Sequence, residues 1–95
     1  MKIFISQPMA GKSDSEIQRA RTNAICTLTD NYSEIEILDT VFKDYDGNAV
    51  QFLGKSISKL AEADMAVFLN GWQIARGCRA EEMVAYLYGI PSLFL

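Results

Sequence analysis

Gly77, Glu81 and Ala85 stand four residues apart in the segment GCRAEEMVAYLY, whose apolar spacing predicts a helix from about Cys78 to Tyr88. A glutamate in the first turn of such a helix lies where the dipole and the free N–H groups favour the charged carboxylate. Glu81 is therefore expected to be ionised at neutral pH, and an ionised carboxylate can act as a nucleophile. At about 100° per residue, Ala80, Met83, Val84 and Leu87 form the expected core face. Glu81 falls on the border of that face and Glu82 points nearly opposite, into solvent. The plainer reading of Glu81 is a first-turn glutamate favoured by the dipole alone.

Arg76 and Arg79 flank Gly77 at the start of the same helix, and cations beside backbone donors suit a phosphate group. They equally suit an ordinary soluble surface. Trp72 lies beside Gly71 in the loop NGWQIARG, where an exposed indole can stack on a base, cover the core or meet another subunit. With no histidine in the chain, Ser-His and Cys-His nucleophile pairs and most zinc sites are removed. Acid–base chemistry must then use carboxylates, Tyr, Lys or Cys. Cys26 and Cys78 show neither metal-ligand spacing nor a disulfide framework, so both read as buried or idle thiols. No metal and no cofactor is expected.

The stretch ISQPMAGKSD, residues 5–14, partly matches a phosphate-binding P-loop through Gly11, Lys12 and Ser13. That motif needs a glycine five residues before Gly11, and Ser6 stands there. Ser13 also precedes Glu16 by three residues, a capping-box spacing, and Ile17, Ala20, Ala24 and Leu28 recur behind it at helical intervals. In this reading Gly11 makes the turn, Ser13 caps the helix, and Asp14 and Glu16 favour the positive end of its dipole.

These side chains must be held by elements that alternate along the chain. Residues 2–5 (KIFI) and 65–69 (MAVFL) are apolar runs of strand length, residues 34–38 (EIEIL) form a second strand between them, and residues 90–95 (IPSLFL) supply a fourth. The polar stretch KDYDGN, residues 43–48, is a loop with a turn at Asp46-Gly47, and Asn48 caps a helix whose stripe is Val50, Leu53, Ile57, Leu60 and Ala61. Alternating strands and helices predict an α/β fold with a parallel sheet of about four strands in the order 2-1-3-4. In such a sheet ligands enter at the carboxyl ends of the strands where the winding reverses, here between the first and third. Ser6, Gln7, Met9 and Lys12 are thereby brought beside Asn70, Trp72, Arg76, Gly77, Arg79 and Glu81.

The 95 residues bound this to one small domain with a single core. No stretch approaches the roughly 20 apolar residues that span a bilayer, so no membrane partner is expected. Only three strongly apolar residues follow Met1-Lys2, too few for a signal peptide, and a cytoplasmic location is the default. A net charge of −3 with scattered Lys and Arg gives no source of counterion release, which argues against a nucleic-acid polymer as partner. A receiver-type phosphorelay domain would want an aspartate after the third strand, where Asn70 stands. A flavin-binding loop would be rich in Ser, Thr and Gly where Pro8-Met9 stand.

Three blocks, KIFISQPM, AEADMAVFLNGW and GCRAEEMVAYLYGIPSLFL, together span nearly the whole chain and resemble the nucleoside 2-deoxyribosyltransferase-like superfamily. The resemblance implies a flavodoxin-like three-layer sandwich over residues 1–95. It assigns to Glu81 the glutamate that attacks the anomeric carbon of a deoxyribose. The implied reaction is N-glycosidic cleavage through a glycosyl-enzyme, with water or another base as acceptor. Implied substrates are deoxynucleosides or their monophosphates, and Arg76 and Arg79 favour the phosphorylated kind. The sequence departs from the family at Phe4, where a tyrosine is usual, and at Ser56 and Ala75, where aspartates are usual. A non-catalytic nucleotide-binding module is the alternative, and an ATP-dependent P-loop phosphotransferase a third. Relatives of this fold often complete their pocket from a neighbour, so a homodimer or larger homo-oligomer is expected.

Overall fold

Ile3, Phe4, Ile5 and Ser6 are buried on both faces of β1 (Lys2–Ser6), as an unbroken apolar run requires of a central parallel strand. The structure is a computed structural model and describes residues 1–40 and 46–95. After β1 come α1 (Asp14–Asn31), β2 (Glu36–Ile37), α2 (Ala49–Leu60), β3 (Met65–Phe68), a 3-10 turn (Trp72–Ile74), α3 (Arg76–Leu87) and β4 (Ser92–Phe94). All pairings are parallel and the order is β2-β1-β3-β4, with Ile3 beside both Ile37 and Met65, and Val67 beside Leu93. This is an α/β, flavodoxin-like sandwich.

The strand period of two sorts the core into two layers. Ile3, Ile5, Met65, Val67 and Leu69 join Ala24 and Leu28 of α1 on one side of the sheet. Phe4, Ala66 and Phe68 join Leu60 of α2 and Ala85 of α3 on the other. Each large side chain buried in this way contributes about 1.5–3 kcal/mol. Reversal of winding at β1 and β3 thus leaves α1 on one face and α2 and α3 on the other.

The helices begin where their capping chemistry starts them. Ser13 accepts from the Glu16 N–H at 3.2 Å while Glu16 accepts from the Ser13 N–H at 3.1 Å. Asn48 and Gln51 repeat this reciprocal box at the start of α2. α3 has no side-chain cap, and it starts at Arg76, two residues before the expected Cys78. Of the loop expected over residues 43–48, positions 43–45 lie outside the described residues. No helix among the described residues is long and apolar enough to cross a membrane.

Candidate functional site

At the carboxyl end of β1 the chain turns through Pro8 and Gly11, and at that of β3 through Gly71. Gly71 has φ +91°, a left-handed conformation that costs a residue with a side chain, and a Cβ there would meet Pro8 Cγ at 3.4 Å. The two loops therefore close on each other, and the 3-10 turn carries the chain into α3.

Between them a cavity of about 580 Å3 is walled by Ser6, Gln7, Met9, Thr40, Arg76 and Glu81, with Phe4, Ser56, Ala75 and Cys78 also on its surface. A second cavity of about 410 Å3 shares Ser56, Arg76, Gly77 and Glu81 and continues beneath α2 to Phe52 and Leu53. Glu81 stands where the two meet.

Only 8% of Glu81 is exposed, and Ser6 Oγ donates to its Oε1 at 2.7 Å. Burial raises the Glu81 carboxyl above the ordinary glutamate value, while hydrogen bonds from Ser6 and Ser56 pull the other way. The expected dominance of the helix dipole is thus reversed: desolvation is the largest influence on this group. Cys78, one turn earlier on α3, is buried and lines the same cavity as Ser6. Burial pushes that thiol up, the Ser6 hydroxyl lowers it, and the nearby Glu81 raises it again.

α3 is rotated relative to the expected face. Cys78, Glu81 and Ala85 are buried, whereas Met83 and Leu87 face solvent and Glu82 is half-buried. Periodicity located the apolar stripe of Ala80, Met83, Val84 and Leu87, but small residues beside an acid made the true inner face look neutral.

Of the residues expected at the site, Ser6, Gln7, Met9, Arg76, Gly77 and Glu81 come together. Gln7 holds the cavity wall to α1: its Nε2 donates to the Ile17 carbonyl at 3.0 Å, and its Oε1 is buried without a donor among the described residues. Lys12 and Asn70 are exposed and line neither cavity. Trp72 is half-buried, its ring 5.7 Å from Phe68 and 5.2 Å from Phe94, so it covers the second core layer. Arg79 faces a separate groove beside Trp72. The capping reading of Ser13 is the one its geometry shows: the hydroxyl accepts from the Glu16 N–H.

Thr40, Ser56 and Cys78 line the main cavity without having been singled out as binding residues. For Ser56 a signal existed: it lies three residues after Leu53 and four before Leu60, on the inward stripe of α2. No family model, curated protein or solved structure matches this chain.

Proposed function

We propose that this chain is a nucleoside 2-deoxyribosyltransferase-like protein that cleaves the N-glycosidic bond of a deoxynucleoside or its monophosphate, with Glu81 as nucleophile. The observation that carries the reading is the position of Glu81, buried at the junction of two cavities at the carboxyl end of the sheet. The carboxylate attacks C1′ of the sugar as the C1′–N bond breaks, and the electron pair of that bond leaves on the base nitrogen, which takes a proton from water. Water or a second base then displaces the carboxylate, giving hydrolysis or transfer. Ser6 holds the carboxyl in place, Ser56 lines both cavities beside it, and Arg76 at the cavity rim supplies a cation for a 5′-phosphate.

Incubation with a panel of deoxynucleosides and monophosphates, followed by chromatography, tests this. Free base is expected from the wild type and not from Glu81→Ala; no base from any member overturns it.

A second reading, a nucleotide-binding module without chemistry, is favoured by what stands at positions 4, 56 and 75. Phe4, Ser56 and Ala75 all border the main cavity, and none offers a carboxylic acid or a phenol. Loss of such a group typically forfeits about 10²–10⁴-fold in rate. In that case nucleotide binds, survives intact, and its affinity is indifferent to Glu81→Ala.

A further inference from the structure

Trp72 and Arg79, expected beside Glu81, meet instead in a groove of their own. With Gln73, Arg76, Glu82 and Met83 they wall a space of about 600 Å3, within the range of roughly 300–1,000 Å3 that small-molecule sites occupy. Arg76 is the one wall residue, among the described residues, that also borders both cavities at Glu81. Arg76 and Arg79 stand three residues apart on α3, which sets their Cβ atoms roughly 5–6 Å apart on one face. Like charges so close oppose each other unless an anion lies between them. Both side chains are exposed, and neither has a carboxylate partner among the described residues, although Glu82 follows Arg79 by three residues on the same wall. The start of α3 adds to the positive potential, since its first turn holds no acidic residue and Ala75 brings no side-chain cap. Trp72 is half-buried: its ring lies 5.7 Å from Phe68 and 5.2 Å from Phe94, and the same residue borders the groove. An indole fixed in this way offers a rigid surface to a second planar ring beside the cations.

We propose that this groove is a second ligand site, separate from the cavities at Glu81, for a phosphate monoester that carries a planar ring. Arg76 and Arg79 donate to the phosphate oxygens, and the ring lies against Trp72. Glu82, the one acid on the walls, opposes the anion and limits its affinity. An anion in the groove and a 5′-phosphate in the main cavity draw on the same Arg76 and repel each other, so each weakens the binding of the other. This antagonism rests on the reading of the Glu81 cavities as a nucleotide site; the groove itself does not.

Trp72 is the only tryptophan of the chain, so its fluorescence reports the groove directly. Titration of the full chain with phenyl phosphate is expected to change the emission saturably, with affinity about tenfold above that for inorganic phosphate because the ring stacks. Arg79→Gln weakens phenyl phosphate about tenfold, and Glu82→Gln strengthens it. Lys59→Gln, which removes the same charge near the end of α2, leaves it unchanged. Arg79 borders neither cavity at Glu81, so its effect belongs to the groove. In calorimetry, phenyl phosphate weakens the binding of a deoxynucleoside monophosphate to the wild type, and Arg79→Gln relieves this. If no deoxynucleotide binds, the nucleotide reading of the Glu81 cavities falls and the fluorescence titration alone decides the groove. No saturable change in emission, equal affinity for phenyl and inorganic phosphate, indifference to Arg79→Gln, or an antagonism that survives Arg79→Gln overturns the proposal.

Discussion

Ser6 at the end of β1 and Glu81 on α3 are joined by a 2.7 Å hydrogen bond although 75 residues separate them in the chain. The donor ends the central strand, where Ser6 pairs with Phe68 of β3 and its carbonyl accepts from the Leu69 N–H, so the carboxyl is tied to the sheet. Such anchoring holds a side chain in one geometry before a ligand arrives. It also offsets part of the cost of burying an acid.

Glu81→Gln is expected to stabilise the protein at neutral pH and to abolish base release. The folded-state carboxyl titrates above its unfolded value, so the folded chain binds the proton more tightly. Stability linked to this group is therefore full below the ordinary glutamate value and is lost as pH rises through the raised one. Urea denaturation at a series of pH values should show that loss in the wild type and not in Glu81→Gln. Equal pH dependence in the two proteins contradicts the assignment.

Removing the anchor by Ser6→Ala should cost about 1.5–3 kcal/mol, the range for a buried hydrogen bond to a charged group. The carboxyl should also titrate higher still, because the Ser6 bond is what lowers it. Carbon-13 NMR of the Glu81 carboxyl reads the second effect directly; an unchanged or lower titration point speaks against the bond.

Gly77 and Gly71 should answer substitution oppositely. Gly77 is helical and a Cβ there meets nothing within 4 Å, so Gly77→Ala gains about 0.4–1 kcal/mol while placing a methyl group against the cavities and weakening nucleotide binding. Gly71→Ala forces a left-handed conformation beside Pro8 and costs about 1–2 kcal/mol. Thermal denaturation and nucleotide titration of both variants separate the effects.

For Ser13→Ala, a loss of about 1 kcal/mol is expected from the missing cap. Nucleotide affinity should not change, since Ser13 lines neither cavity at Glu81. A fall in affinity at unchanged stability, measured by calorimetry and urea titration, would return the phosphate-loop reading to consideration.

Elements with strong local signals were legible in the sequence. The unbroken apolar runs around Ile3 and Val67 announce buried parallel strands, and the reciprocal boxes at Ser13 and Asn48 mark helix starts without reference to any tertiary contact. The site was legible where topology alone decides position, as for Ser6 and Glu81. It was not where orientation depends on packing. The outward stripe of Met83 and Leu87 obeys the same periodicity as a core face, because hydrophobic spacing does not say what covers it. Trp72 was drawn inward by Phe68 and Phe94, partners 26 positions apart in the chain that no local pattern connects. Ser56 reads as a neutral position on α2 until the fold brings it to the same cavities as Glu81.

Because all four strands run the same way, the cavities at Glu81 gather at one end of the sheet and the opposite end is formed by turns. At the latter, Asp64 accepts from the Lys2 N–H at 2.7 Å, and the exposed turn at Glu62 follows α2. A fluorophore or surface tether attached at Glu62 would leave the mouth of the cavity unobstructed, giving a handle for watching ligands come and go without standing in their path.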